Sequence, residues 1–357
     1  MPRAVVLGGG GFIGSNVTRT LINRGWDVTV AGLGAPAMTQ ELGKLGASVH
    51  NYPRADTQQL LKSVGDGADA FIDIIAYQSQ DARQLEMLRG LVGSLVVIST
   101  GAVYCGRSGR TFFGNFDTAD RDAPELLRES DPTVAPDDSY YGGGKAAVEH
   151  TVQELGIAPT TIVRPFAVFG PASNAAREWY FVKRVLDRRP TVTLSGGGRH
   201  KFNRCSVDNL AEIVALACEQ PKDRTINAAD HDPADVRDIA REVADILDWT
   251  WTEILWPGEP PSPVIGYTPW STPARLIADM SAASTELGYR PVTTCRKTLE
   301  ETVMWLKDYI PDPGSWEEKL PGYVARNGRH TFSYAEEDSF IRWLAGPKDS
   351  GFRPSNE

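Results

Sequence analysis

The first thirty residues constrain this chain more than any other stretch. An apolar run, Ala4-Val5-Val6-Leu7, feeds into Gly8-Gly9-Gly10-Gly11-Phe12-Ile13-Gly14 and then into an amphipathic segment that ends near Arg24-Gly25. The spacing predicts a strand, a glycine turn and a helix, because Phe12, Ile13, Val17, Leu21 and Ile22 recur at helical intervals and Gly25 is a natural stop. Glycines are required where a chain reverses tightly, brings its backbone against a pyrophosphate and packs the new helix on the strand. The anion then lies at the helix N-terminus, where free N–H groups and the helix dipole favour negative charge. Gly8, Gly11 and Gly14 stand in phase for this, and a second strand, Asp27-Val28-Thr29-Val30-Ala31, supplies the context that a dinucleotide cradle needs.

Further short β-like runs follow at Ser48 to Asn51, Ala70 to Ile75, Leu95 to Ser99 and Thr160 to Val163, separated by helix-length segments. That alternation predicts an α/β, Rossmann-type, doubly wound parallel sheet whose ligand crevice lies beyond the carboxyl ends of the strands. The 357 residues, 41% of them apolar, suffice for such a core plus an appended lobe. From about Gly170 prolines break the alternation, so residues 1–170 are expected to form the dinucleotide-binding domain, rejoined by about 205–230. Residues 171–310 then form mainly a smaller C-terminal substrate lobe, and 311–357 an extension that wraps the body or hangs loose. Within the lobe, Asp232 and Pro233 read as the N-cap and first residue of a helix through Val236, Ile239, Val243 and Ile246-Leu247. A further helix is expected from about Leu299 to Leu306.

Composition excludes several classes. A net charge of −9 repels a phosphate backbone, so no nucleic acid is expected as partner, and the Arg199 to Arg204 cluster reads as a solvated loop. No apolar run approaches the ~20 residues of a bilayer span and no leader precedes the first strand, which points away from a membrane and toward a cytoplasmic protein. Cys105, Cys205, Cys218 and Cys295 are widely spaced, suggesting neither a zinc site nor a disulfide framework. The five histidines form no metal-ligand pair, so no metal is expected. The aromatic residues Trp179-Tyr180-Phe181, Trp256, Tyr267 and Trp270 are read as lobe packing in preference to stacking faces for a ligand.

The chemistry concentrates after the run Leu95-Val96-Val97-Ile98, which ends in Ser99-Thr100-Gly101, and at Tyr140-Tyr141-Gly142-Gly143-Gly144-Lys145. Tyr141 and Lys145 are one helical turn apart, on one face, where an ammonium stabilises a phenolate. A tyrosine of pKa ~10 needs about 3–4 kcal/mol of such stabilisation to act as a base near neutral pH. Three successive glycines inside a helix cost about 0.8–1 kcal/mol each relative to alanine. A close backbone approach is therefore expected there, with cofactor or substrate as the natural occupant.

With these motifs the chain resembles the extended (or atypical extended) short-chain dehydrogenase/reductases, the NAD-dependent epimerase/dehydratase group, over most of residues 1–310. The glycine motif, Ser99-Thr100 with Val103-Tyr104, the Tyr141/Lys145 pair, Arg164-Pro165 before Phe169-Gly170-Pro171, Val207-Asp208-Asn209-Leu210-Ala211 and Glu286-Leu287-Gly288-Tyr289-Arg290-Pro291 are similar to that group's landmarks in order and spacing. The resemblance implies NAD, with NADP left open, held by Gly8, Gly11, Phe12, Ile13, Gly14, Gly32, Leu33, Ala76, Lys145 and Pro165. It implies Thr100 as the hydroxyl that bonds the reacting oxygen, with Ser99 as a competitor, Tyr141 as acid/base and Lys145 as ribose ligand and tuner of Tyr141. A sugar-like small-molecule substrate and a homodimer follow from the same likeness.

The chain also departs from that pattern. Ala31-Gly32-Leu33-Gly34 offers neither an acidic ribose ligand nor an arginine for a 2′-phosphate, leaving Arg54 or Lys44 as candidates for the latter and Asp56 as a substitute acid. Arg164-Pro165-Phe166-Ala167 lacks the asparagine common in sugar-nucleotide enzymes, and the diphosphate-gripping arginine falls near Phe202, among Arg199, Lys201 and Arg204. Thr100-Gly101-Ala102 lacks the acidic pair of dehydratases. Three functions remain: an NAD(P)-dependent epimerase or oxidoreductase acting on a secondary alcohol, an NADPH-dependent carbonyl reductase, and a non-catalytic cofactor-binding scaffold.

Overall fold

The structure, a computed structural model, describes residues 1–113, 119–231 and 233–346. Its strands are β1 Arg3–Leu7, β2 Asp27–Ala31, β3 Ser48–His50, β4 Ala70–Asp73, β5 Leu95–Ile98, β6 Thr160–Pro165, β7 Ala167–Phe169, β8 Thr191–Leu194, β9 Arg204–Ser206, β10 Arg224–Ala228 and β11 Thr252–Leu255. Seven of them form one sheet, ordered β10-β6-β5-β4-β1-β2-β3, and every pairing in it is parallel. The doubly wound sheet expected from the sequence is the sheet observed. Chain order reverses at β1, which lies between β2 and β4, so the crevice opens beyond Leu7, Asp73 and Ile98.

The first seven helices are α1 Phe12–Asn23, α2 Pro36–Lys44, α3 Thr57–Val64, α4 Ser79–Gln84, α5 Tyr141–Leu155, α6 Trp179–Leu186 and α7 Val207–Glu219. Alternate residues of β1 feed different cores. Val6 packs with Val17, Leu21, Leu210 and Val214 of α1 and α7, whereas Val5 and Leu7 pack with Leu60, Leu85, Val148 and Val152 of α3, the α4 region and α5. Burial on both faces is why these strands read as unbroken apolar runs.

The remaining helices are α8 Val236–Ile246, α9 Ser281–Leu287, α10 Cys295–Tyr309, α11 Trp316–Lys319, α12 Pro321–Asn327 and α13 Tyr334–Ala345. α8 starts three residues later than expected. Asp232 lies outside the described residues, and the cap is Asp235, whose carboxylate accepts from Asp238 N at 3.0 Å in a reciprocal capping box. Residue 235 is held extended by a bridge to Lys201, and Val236 N donates to His200 O, so the helix cannot begin earlier.

Two later sequence landmarks meet in space. Asn209 of α7 accepts from Val292 N at 2.9 Å and Thr293 N at 3.2 Å, and donates to the buried Asp230 at 2.8 Å. Residues 313–346 pack against the body of the protein. Leu320, Tyr323 and Phe340 are wholly buried, and the guanidinium of buried Arg184 lies against the rings of both Tyr180 at 3.7 Å and Phe332 at 5.3 Å. Trp179, Tyr180, Phe181 and Trp270 are interior, with Phe181 stacked on Trp270 at 5.8 Å, so these aromatics are packing. The four cysteines are buried and unpaired. No helix among the described residues is long and apolar enough to cross a membrane.

Candidate active site

The glycine turn has the geometry of an anion cradle. Gly8 adopts φ +85°, and a Cβ there would lie 2.7 Å from Ile75 Cγ2; a Cβ at Gly14 would lie 2.2 Å from Gly8 O. Gly14 thus seats α1 directly on the turn, as the sequence argument requires. Gly11 opens α1 with no side-chain cap and no acidic residue in the first turn, so its leading N–H groups face outward unneutralised. Phe12 and Ile13 are half-buried at this opening, and Phe12 borders Gly170 across the crevice, the ring lying 3.5 Å from where a Cβ of Gly170 would stand. A pyrophosphate fits these residues.

The ribose edge is built from β2 and its loop. Gly32 takes φ +97°, with its N–H on His50 O, while Leu33 is exposed and Gly34 presses against Gly10, where a Cβ would meet Gly34 Cα at 2.8 Å. Arg54, a candidate for a 2′-phosphate, is committed elsewhere. It binds both oxygens of wholly buried Asp73 at 2.8 Å and also pairs with Asp81 at 3.0 Å. Its charge is neutralised by two carboxylates. Asp56 is equally spoken for, as the N-cap of α3 accepting from Gln59 N. Lys44 is exposed at the last turn of α2. Ala76 and Pro165 are buried on the rim.

From Ala76 the rim runs into the second group of residues. Tyr141 is the first residue of α5 and about half exposed, whereas Lys145, one turn on, is buried with only 2% exposure. Lys145 Nζ donates to Ile98 O at 2.7 Å and lies 4.6 Å from the centroid of the Tyr77 ring, which in turn lies 6.4 Å from that of Tyr141. Burial pushes the Lys145 pKa down to about 8, against the pull of Asp73. Tyr77, which the sequence did not single out, therefore stands between the predicted Ala76 and the Tyr141/Lys145 pair.

The three glycines of α5 serve the protein's own backbone. A Cβ at Gly142, Gly143 or Gly144 would fall 2.7, 2.4 or 2.4 Å from the carbonyl oxygens of Ala102, Asp137 and Tyr77 respectively. The expected close approach exists, but its occupants are loops of this chain and not a cofactor or substrate. It seats the Tyr141 end of α5 on the turn that follows Thr100.

Thr100 and Ser99 point to different work. Thr100 Oγ1 accepts from Ala102 N at 3.2 Å, leaving its own proton for a donor role. Ser99 donates instead to the buried carboxylate of Glu149, which Arg164 grips through Nε at 3.0 Å and Nη2 at 2.7 Å. Arg164 also lies 4.9 Å from the ring centroid of Tyr104, whose hydroxyl donates to Asn227 at 2.6 Å. Burial raises the Tyr104 pKa to about 12, keeping that phenol protonated. Ser99 and Arg164 belong to a buried ion-pair network, in which the Ser99 proton is committed to Glu149.

On the lobe side, Phe202 packs edge to face on Phe166 at 6.3 Å and on Phe113 at 5.4 Å, and Phe166 fills the space beside Gly101. Of the cations around Phe202, Arg199 is exposed, but Arg204 is buried on Glu242 at 3.4 Å and Phe169 at 5.4 Å, so that part of the cluster is no solvated loop. Sequence reasoning missed Glu149. Glu149 carried one signal, its place four residues after Lys145 on the same helix.

A family model described as the NAD dependent epimerase/dehydratase family matches residues 4–229. Among characterised proteins, a 4-hydroxy-2-methyl-3-oxo-4-farnesyl-3,4-dihydroquinoline-1-oxide ketoreductase of Stigmatella aurantiaca is 28% identical over 225 residues, 61% of this chain and 65% of that protein. An uncharacterized protein of Escherichia coli is 24% identical over 200 residues, 47% of this chain and 57% of the other. The chain thus spans less than two thirds of the curated relatives it matches. Solved structures share the fold: UDP-glucuronic acid 4-epimerase of Bacillus cereus, in complex with UDP-glucuronic acid and NAD, has a TM-score of 0.64 and 20% identity, covering 86% of this chain and 99% of that one. UDP-glucose 4-epimerase of Thermotoga maritima has a TM-score of 0.66 and 19% identity over the same shares.

Proposed function

Because this chain belongs to the NAD-dependent epimerase/dehydratase family, we propose that it moves a hydride between bound NAD and a secondary alcohol of a sugar-like metabolite, with Tyr141 as acid/base. The observation that carries this reading is the placement of Tyr141 one turn above sealed Lys145, on a helix seated against the loop that follows Thr100. NAD would be held by the α1 N-terminus and the Gly8 to Gly14 turn, with Gly32, Leu33, Ala76 and Pro165 along its edge and Lys145 at the nicotinamide ribose. It supplies the hydride acceptor and donor. The engagement of Arg54 by Asp73 and Asp81 favours NAD over NADP, since that guanidinium is not available to a 2′-phosphate.

Within the site, Thr100 donates its hydroxyl proton to the reacting substrate oxygen and so fixes it near Tyr141. Tyr141 takes the alcohol proton as the carbonyl forms, and returns it when the carbonyl is reduced. Lys145 places positive charge beneath that phenolate, and the Ile98 carbonyl orients its ammonium. Bound NAD would supply and take up the hydride, and with it Thr100 and Tyr141 would serve either inversion of the centre or net oxidation.

A second reading, an NADPH-dependent carbonyl reductase, is supported by the ketoreductase of Stigmatella aurantiaca; the epimerase reading is supported by the UDP-sugar epimerases that share the fold. The experiment is to denature freshly purified protein and identify released dinucleotide by mass spectrometry, then follow free cofactor during turnover. Stoichiometric NAD that is not consumed supports epimerisation. Consumption of free cofactor in step with substrate supports the reductase, and a protein that binds neither dinucleotide overturns both.

A further inference from the structure

Lys145 is a buried ammonium without a carboxylate partner. Among the described residues it forms no ion pair, and it donates to Ile98 O at 2.7 Å. Three acids stand in its neighbourhood, but each is claimed by other groups. Asp73, at the end of β4, holds Arg54 through both oxygens at 2.8 Å and accepts from Ile75 N at 3.0 Å. Asp81, on α4, pairs with the same arginine at 3.0 Å and accepts from the N–H groups of Tyr77 and Gln78 at 2.7 and 3.1 Å. Glu149, one turn further along α5, is taken by Arg164 and Ser99.

What faces the ammonium instead is an aromatic ring. The centroid of Tyr77 lies 4.6 Å from Lys145 Nζ, and the same ring stands 6.4 Å, centroid to centroid, from that of Tyr141. A ring presents negative charge from its face, so it can compensate a desolvated cation that has no carboxylate. The loop that carries Tyr77 is fixed at three points. Its N–H is held by Asp81, which Arg54 orients, and its carbonyl is pressed against Gly144, where a Cβ would lie 2.4 Å away. Two residues on, Ser79 N and Oγ both donate to Asp138, in the loop before α5, at 2.9 and 2.5 Å. Tyr77 is nevertheless half exposed, so core packing does not account for an aromatic residue here.

The margin by which Lys145 stays charged is narrow. Burial pushes its pKa down to about 8, Arg54 adds to the fall, and Asp73, Asp81 and Glu149 oppose it. Tyr141 is the other titratable group on this face of α5. Burial pushes the Tyr77 phenol up from its ordinary value, so the ring facing the ammonium is neutral at physiological pH.

We propose that Tyr77 is a positioning residue of the reaction, its ring capping the buried Lys145 ammonium and holding it, charged, beneath Tyr141. The proposal rests on the function proposed above. It adds a residue that acts through Lys145, and it gives Arg54 the task of fixing the loop from which that residue acts.

The test labels the lysine Cε positions of the full-length protein with carbon-13 and follows the Lys145 resonance by NMR through a pH titration, without NAD and with NAD at saturation. Lys145→Arg identifies the signal by its loss. In the wild type the Cε protons should be displaced upfield by the Tyr77 ring current. Tyr77→Leu should abolish that displacement in the protein without NAD and lower the midpoint of the Lys145 titration by about 0.5–1 pH unit in both states, the range of one desolvated cation–π contact. Tyr77→Phe keeps the ring and should match the wild type in both readouts. Urea midpoints report whether the variants fold; if Tyr77→Leu does not, the ring-current displacement in the wild type decides the matter. An undisplaced Lys145 resonance in the wild type without NAD, a Tyr77→Leu titration that coincides with the wild type, or a Tyr77→Phe protein that behaves like Tyr77→Leu overturns the role of the ring. A Tyr141→Phe protein that turns over fully while Lys145 still titrates according to residue 77 would sink the proposed chemistry and leave the cap on Lys145 standing.

Discussion

Replacing Gly144 by alanine sets two effects of opposite sign against each other. In an ordinary helix the change stabilises by about 0.8–1 kcal/mol, because glycine surrenders more backbone entropy on folding. In α5 the new Cβ would stand 2.4 Å from Tyr77 O, inside any contact that real Cβ atoms make. Relief requires the two backbones to part by roughly 0.6–1 Å, and such overpacking costs about 1–3 kcal/mol. The Tyr77 loop has little freedom to yield, since Tyr77 N is held by the Asp81 carboxylate at 2.7 Å. The net expectation is a loss of up to about 2 kcal/mol, accompanied by a fall in turnover of about tenfold or more as Tyr141 and Lys145 shift. Gly43 is the matched control: it is exposed in α2 and a Cβ there meets nothing nearer than 4.0 Å. Gly43→Ala should stabilise by about 0.5–1 kcal/mol with turnover unchanged. Urea midpoints and steady-state kinetics on both variants check this, and a Gly144→Ala protein that is stabilised like Gly43→Ala and fully active would refute the reasoning.

Other expected outcomes follow from buried charges. Glu149→Leu should destabilise by about 3–5 kcal/mol because it strands Arg164 without a partner, and Arg164→Met added to it should recover much of the loss; urea denaturation of the single and double variants reads the difference. Lys145 has a folded pKa of about 8 against 10.5 unfolded, so between those values the unfolded chain binds more protons and stability rises with pH. The wild type should gain about 3 kcal/mol relative to Lys145→Met across that window, and a flat difference would contradict the burial of the ammonium. Arg184→Met should cost about 2 kcal/mol by removing the cation that contacts both Tyr180 and Phe332, and limited proteolysis should then cut first after residue 312.

The sheet was legible because parallel strands buried on both faces appear as runs such as Leu95-Val96-Val97-Ile98, and α1 was legible from its spacing and glycines. β10 was not, since Arg224-Thr225-Ile226-Asn227-Ala228 mixes in polar groups that the structure satisfies through distant partners such as Tyr104 and Leu127. Asp232-Pro233 imitates a cap and first turn, but the true start at Asp235 depends on long-range contacts to Lys201 and His200. For the site, the Tyr141/Lys145 spacing carried local information that sequence conveys well. The sequence showed that Gly142 to Gly144 admit something close, but not that the visitors are Ala102, Asp137 and Tyr77. Arg54 looked free because its partners Asp73 and Asp81 lie on other elements. The C-terminal helices were obscure because a few aromatic side chains, spread through polar sequence, do most of the packing.

The central claim is that Tyr141 moves the proton that accompanies hydride transfer to NAD. The direct measurement mixes NAD-loaded protein with a panel of sugar nucleotides and simple sugars in a stopped-flow instrument and follows the near-ultraviolet absorbance of reduced nicotinamide. For a ligand that gives a transient in the wild type, Tyr141→Phe should slow it by about 10²–10⁴-fold while NAD affinity stays unchanged; an equal transient in the variant would contradict the assignment.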